Sequence, residues 1–355
     1  MALLKAVMSL FKMESIKVFV ASLSFLLFFI FCYLSLNSQT DSIAYYKEQV
    51  THIRNSPNFT PRDTTYIQLL NILSSKIKYR NTDSLSILSI EALSLSEDIN
   101  YTKGKNDALS YLAIYELVNG NYEKSLNYNL EILKNIDKSK RPELAAGIYN
   151  IMGQTYSSLS NYPEAYKHLY ESLLLAQLAG NNDLIIKINS NLGTLFSLLE
   201  DYNEATKYYQ VALEKINKDD NTILKAGIQC NLGYLFMKKR DSTKALDFLR
   251  KSLPTLEKQN ATLILGITYT TFGDVYYTFG DFKKSLRYFK KALPYYEFLN
   301  DARNKAAVLY GVGTSYLALN NFEKAEEFLK ESVFLYKKVQ YKIGLEQSYS
   351  CLLYT

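Results

Sequence analysis

The chain has 355 residues, room for two or three ordinary domains or for one long repeat array. It is 48% hydrophobic and 21% charged, which does not suit a disordered chain. The net charge of +6 arises from 41 basic and 35 acidic residues with signs mixed along the sequence, poor grounds for a nucleic-acid groove, which needs basic residues gathered on one face. Only 14 Gly and 6 Pro, against 31 Tyr and 18 Phe, favour long helices over a loop-rich fold. Cys32, Cys230 and Cys351 are too far apart for a disulfide framework or a CxxC pair.

Residues 1–39 read as a signal peptide or membrane anchor. Val18 to Leu36 is a run of 19 uncharged residues, preceded by Lys12, Glu14 and Lys17 and followed by a polar stretch. As a helix it reaches roughly 28 Å, enough for a bilayer core of ~30 Å. The lysines on its N-terminal side place that end in the cytoplasm and export the rest of the chain. The run is longer than the usual signal-peptide core, yet Ser35, Asn37 and Ser38 offer an exit for cleavage, so both a cleaved signal and an uncleaved anchor fit. Residues 40–60 read as a polar linker.

Residues 61–105, with TTYIQLLNILSSKIKYR and then SLSILSIEAL, read as a degenerate first helical repeat. From 106 to 345 six units recur every 40 residues, a period that signals a repeat array. Gly153, Gly193, Gly233, Gly273 and Gly313 share one slot, which Ala113 fills a unit earlier. Twelve residues on stands Ser125, Ala165, Ala205, Ala245, Ser285 or Ala325. Apolar residues at i, i+3, i+4 and i+7, such as Leu192, Leu195, Phe196 and Leu199, predict two amphipathic helices per unit. The small slots let the two helices approach closely. Bulky residues three beyond the Gly (Tyr156, Phe196, Phe236, Tyr276, Tyr316) are expected to pack against the next unit. Asn121, Asn161, Asp201, Asp241, Asp281 and Asn321 are expected to cap the second helices, with Glu164 and Glu204 completing capping boxes. Residues 346–355 read as the start of another first helix, either a capping helix or the sign of a truncated chain.

These residues resemble the tetratricopeptide repeat, with its small, aromatic and small positions as in Gly193, Tyr209 and Ala212. Tyr149 and Tyr269 stand where that family has tryptophan, its terminal proline is absent, and the period is 40 rather than 34. The resemblance implies an all-α fold: a right-handed α-solenoid of antiparallel helical hairpins, preceded here by an apolar signal or anchor helix. The layout as a whole also looks similar to periplasmic sensor regions of bacterial regulators, notably from Bacteroidetes. In those the repeats are followed by a membrane helix and a histidine kinase or helix-turn-helix output, and the truncated input region of such a regulator is the alternative reading.

No catalytic, metal or cofactor motif is found. His52 and His168 stand far apart, and Gly311-Val-Gly313 is a lone GxG that follows no strand. An enzyme is not expected. The sequons at Asn58, Asn100 and Asn260 read as turn chemistry. In the resembled family the first helix of each hairpin lines a concave groove. The inward positions lie three before, one after and four after the Gly slot: Asn150, Gln154, Ser190, Thr194, Tyr234, Thr270, Asp274, Tyr277, Tyr310 and Thr314 are the groove candidates. The lysine and asparagine of the family's carboxylate clamp are missing at Asn150/Gln154, Ser190/Thr194 and Cys230/Tyr234. The expectation is therefore an exported protein, periplasmic or on the outer face of a Gram-negative bacterium. It is a scaffold or sensor that binds a peptide or protein partner, meets a membrane through residues 18–36, and takes no nucleic acid through its repeats.

Overall fold

A computed structural model describes residues 43–353 except 58, 61–62, 79–81 and 217–221. The apolar run Val18–Leu36 and Cys32 lie outside the described residues, as does the turn at 219–221. Among the described residues no helix is long and apolar enough to cross a membrane. The chain divides into two compact units, residues 1–60 and 61–355. Helix α1 (43–54) belongs to the first.

The second unit is entirely helical among its described residues, in consecutive hairpins: α2 (Thr64–Ile77) with α3 (Thr82–Asp98), α4 (Thr102–Val118) with α5 (Tyr122–Lys134), and α6 (Pro142–Ser158) with α7 (Tyr162–Leu178). There follow α8 (Asn182–Leu198) with α9 (Tyr202–Glu214), α10 (Ile223–Lys238) with α11 (Ser242–Lys258), α12 (Thr262–Thr278) with α13 (Phe282–Phe298), and α14 (Ala302–Ala318) with α15 (Phe322–Lys338). The last described helix, α16 (Lys342–Leu352), packs on α15 as another first helix would.

One left-handed residue joins the two helices of each hairpin from α4/α5 onward: Gly120, Ser160, Glu200, Arg240, Gly280 or Asn320, with φ between 58° and 84°. The amide that comes after it bonds back to the last turn, as Asn161 N–H does to Tyr156 O at 2.9 Å, which caps the orphan carbonyls of the first helix. Asn100 and Asn260, two of the sequon positions, occupy the same conformation between hairpins. Asn161, Asp201, Asp241, Asp281 and Asn321 cap the second helices, accepting from the amide three residues on at 2.9 to 3.5 Å. Asn121 does not. Its Nδ2 donates to Glu116 Oε2 at 2.6 Å, because Glu116 fills the slot held by an aromatic in every later unit. The capping boxes also differ from expectation. Glu164 and Glu204 turn toward Lys167 and Lys207 rather than back to the cap amide, which at Asn161 is already bonded to the first helix.

The small slot is a steric requirement. A Cβ added to Gly153 would stand 2.5 Å from Leu169, and one on Gly193, Gly233, Gly273 or Gly313 would stand 2.6 to 2.8 Å from Tyr209, Leu249, Phe289 or Leu329. Each of these bulky side chains lies sixteen residues on, in the facing second helix. Where the slot is Ala113, the sixteenth residue on is the smaller Asn129. The bulky residue three beyond the Gly belongs to core clusters that reach into the next unit, as Tyr156 does with Ile185 and Leu192. It stacks on a ring in its own hairpin: Tyr156 on His168 at 5.1 Å, Phe196 on Tyr208 at 5.3 Å, Phe236 on Phe248 at 5.5 Å, Tyr276 on Tyr288 at 5.3 Å and Tyr316 on Phe328 at 5.7 Å. Crossing at the glycine brings the two helix faces close enough for these rings to stack. Phe196 in addition meets Tyr166 of the preceding hairpin edge-on at 5.9 Å.

First helices touch the first helices of adjacent hairpins (α4 with α6, α6 with α8, α8 with α10, α10 with α12, α12 with α14), whereas the second helices make no comparable contact with one another. This difference in spacing curves the stack, with first helices on the inner side.

Two outcomes test this account. Gly233→Ala is expected to cost about 1–3 kcal/mol in chemical denaturation through its collision with Leu249, despite alanine's better helix propensity. An unchanged midpoint would mean that Leu249 moves aside freely. Glu200→Gly is expected to gain about 0.5–1 kcal/mol, because a left-handed φ of 60° strains any side chain with a Cβ.

Candidate functional site

The inner face is where first helices expose side chains that packing does not use. Of the residues predicted to line it, Asn150, Ser190 and Thr314 are buried, and Asn150 Oδ1 receives Asn191 Nδ2 at 2.8 Å across two hairpins. Gln154, Thr270, Asp274 and Tyr310 are partly exposed, and Thr194, Tyr234 and Tyr277 are open to solvent. Thr194 and Thr270 are tied by hydroxyl contacts to Tyr209 (2.9 Å) and Tyr296 (3.4 Å) in their own hairpins. Tyr310 Oη accepts from Cys351 Sγ at 3.5 Å. The Tyr234 ring carries the Lys238 ammonium above it at 5.4 Å.

An open groove of about 1270 Å³ runs along the inner side of α4, α6 and α8. It contains Asn150 and Gln154 from the predicted set, and Ser110 and Ile114 at the equivalent places of the preceding unit. It is also lined from positions outside that set, ten and six residues before the small slot: Lys103 and Asp107 on α4, Glu143 and Gly147 on α6, Asp183 and Lys187 on α8. In the next two units the same positions are Ile223 and Gly227, then Leu263 and Ile267, so the inner face passes from charged to apolar along the array. Arg303, at the same position of α14, also lines the groove. The curl of the stack brings it near Tyr122, and its guanidinium lies 4.2 Å over the Tyr341 ring.

Electrostatics distinguish several groups. Burial pushes the Asp107 carboxyl up, against the pull of Lys103 and Arg141. Burial, then the Lys187 charge, hold the Lys78 ammonium below the ordinary lysine value. Asp274, on α12, is pushed up to about 7 by burial, opposed only by Lys238. Among the described residues it has no hydrogen-bond partner. His168 stands between Tyr149 and Tyr156 at ring distances of 5.5 and 5.1 Å, and burial lowers its pKa. Its position is taken by Tyr208, Phe248, Tyr288 and Phe328 in later units, so its ring serves the hairpin stack. Cys230 is buried, with its thiol pushed up by burial. Among the described residues no group of His, Cys, Asp and Glu could hold a metal ion.

The sequence profile of the tetratricopeptide repeat matches residues 143–217, 224–297 and 266–338, more than half of the chain. The chain belongs to the tetratricopeptide repeat family. Curated protein sequences give no match. Among solved structures this tetratricopeptide array is similar to the STAND protein PH0952 of Pyrococcus horikoshii, which carries a tetratricopeptide repeat sensor, with a TM-score of 0.60 and 20% identity over 87% of this chain and 48% of that one. The chain thus spans about half the length of that protein. It is also similar to a Rap protein complexed with competence and sporulation factor (TM-score 0.55, 11% identity, 91% of this chain and 96% of that one). NprR in complex with its cognate peptide NprX gives the same TM-score of 0.55, at 15% identity over 69% of this chain and 71% of that one. At these identities the likeness is one of fold.

Asp274 gives a measurable signature. Its carboxyl titrates near 7 when folded and at the ordinary 3.8 when unfolded, so the unfolded chain binds fewer protons between these values. Stability therefore falls as pH rises from about 4 to about 7 and is level beyond. Asp274→Asn is expected to raise the denaturation free energy by roughly 1–3 kcal/mol at pH 8 and to change it little at pH 4. An equal effect at both pH values would contradict the assignment.

Proposed function

We propose that this chain is a binding module that holds an extended peptide or a peptide-like segment of a partner protein along the inner face of its array, without catalysing a reaction. The observation that carries the reading is the groove of about 1270 Å³, lined by first helices whose inward side chains are not consumed by packing. An extended peptide needs a long concave surface with amide and hydroxyl groups for its backbone and rigid rings for its side chains. Gln154, Ser110 and Ser158 offer the first on α4 and α6, and Tyr234 and Tyr277 offer the second on α10 and α12. The Rap and NprR structures, complexes with competence and sporulation factor and with a cognate peptide respectively, lend support as examples of the same fold in complex with a partner. Export by the Val18–Leu36 segment, with the repeats outside the cytoplasmic membrane as scaffold or sensor, completes the proposal.

Panning a displayed peptide library on the full-length protein tests the groove. Gly147 lines it and has nothing within 4 Å of an added Cβ, so Gly147→Trp fills the groove without disturbing the helix contacts. Selected peptides are expected to lose at least about ten-fold in affinity for Gly147→Trp or for Tyr234→Ala/Tyr277→Ala/Tyr310→Ala. Peptides that bind both variants as well as the parent would refute the groove as the site. Alkaline phosphatase fused after residue 60 is expected to be active, and to lose activity when residues 18–36 are deleted. Activity independent of that segment would refute export.

A further inference from the structure

The charge along the groove carries the peptide reading one step further. Lys78, Lys103, Lys140, Arg141, Lys187 and Arg303 line the groove, against Asp107, Glu143 and Asp183. Some of this charge is already spoken for. Lys140 pairs with Asp137 at 3.4 Å, and Glu143 Oε1 receives Asn181 Nδ2 at 2.7 Å. By contrast, the side chains of Lys103, Arg141 and Lys187 form no hydrogen bond or ion pair among the described residues. Asp107, whose carboxyl burial pushes up, interacts with both Lys103 and Arg141, yet the six cations of the lining still outnumber its three carboxylates. Lys187 in turn raises the cost of charging Lys78. The groove thus carries an excess of positive charge, with Lys103, Arg141 and Lys187 outside any ion pair among the described residues, on three successive hairpins.

We infer that this part of the groove is a receptor for an acidic peptide segment, with carboxylate side chains seated at Lys103, Arg141 and Lys187. The inference rests on the peptide-binding reading above and names the ligand class. Cations on three hairpins suit several side-chain carboxylates spread along a chain better than a single terminal carboxylate. First helices in contact lie ~8–10 Å apart, about the reach of three residues of extended chain. Acidic residues about three apart therefore match the register. A nucleic acid fits less well. The apolar side chains of Ile114, Leu144 and Leu184 stand among the cations, and the lining offers neither an unbroken basic track for successive phosphates nor a row of rings for stacked bases. These positions stand three to nine residues upstream of the place of the clamp lysine, which explains how the groove is cationic although the clamp residues are missing.

The test uses the full-length protein and fluorescein-labelled nonapeptides in a Gly/Ser background, amidated at the carboxyl end, with Glu, Gln or Lys at every third residue. A nine-nucleotide oligouridylate serves as the competing class. Anisotropy is expected to rank Glu at least about ten-fold tighter than Gln and Lys. That preference should weaken several-fold between 50 and 300 mM salt and vanish in Lys103→Glu/Lys187→Glu. Lys103→Gln/Lys187→Gln removes the charge without reversing it and is expected to lose most of the preference, while Gly147→Trp abolishes binding of the Glu peptide. If the Gln peptide binds as tightly as the Glu peptide and is lost in Gly147→Trp, the acidic preference is refuted and peptide binding stands. A Glu preference that survives both lysine variants, or tighter binding of the oligonucleotide, also overturns the inference. If no nonapeptide binds and library peptides ignore Gly147→Trp, the peptide-binding reading falls as well.

Discussion

The structure depends on one steric constraint, the approach of the two helices of each hairpin at a residue without a Cβ. At Gly153, Gly193, Gly233, Gly273 and Gly313 the facing Leu, Tyr or Phe stands so near that a methyl group would overlap it. Glycine costs helix stability at these interior positions, so its use there is explained by packing. The approach sets the crossing of the two helices. It also brings the rings at Tyr156 and His168, Phe196 and Tyr208, and their later counterparts into stacking distance. Five stacks in one register give the array a repeated internal brace.

The same constraint determines what is left for function. Residues at the small slot, the ring positions and the buried face of both helices are committed to the hairpin core, and so is His168, which sequence alone leaves as a free imidazole. Ion pairs add a lesser tie between hairpins. Lys105 reaches Glu97 and Glu131 at 2.8 and 2.9 Å, and five units later Lys305 reaches Glu297 and Glu331 at 3.1 and 3.3 Å. These pairs are partly exposed and contribute little each. The inner face keeps the remaining chemical variety: an excess of cations over α4 to α8, then Ile223, Leu263 and Ile267 with Asp274, which has no hydrogen-bond partner among the described residues. A desolvated carboxylate that weakens folding above neutral pH is held in place by the surrounding packing, as residues of binding sites often are.

Much of this was legible in the sequence. The 40-residue period, the two helices per unit, the small slots and five of the six caps derive from local chemistry, because capping and helical periodicity involve residues only three or four apart. The inward rows at Asn150, Gln154 and their equivalents rest on the family resemblance, and of these Ser190 and Thr314 are buried. Tertiary structure decided the rest. Which ring meets Tyr156, why Asn121 turns to Glu116, and how far Asp274 is desolvated depend on contacts between separate helices. The basic groove is the clearest case. Lys103, Arg141 and Lys187 lie some forty residues apart in a sequence of evenly mixed charge, and only the curvature of the stack places them on one surface, with Arg303 brought from five units away. Local chemistry therefore fixed the repeating unit, whereas the charge on the inner face is a sum over units that exists only once they are stacked.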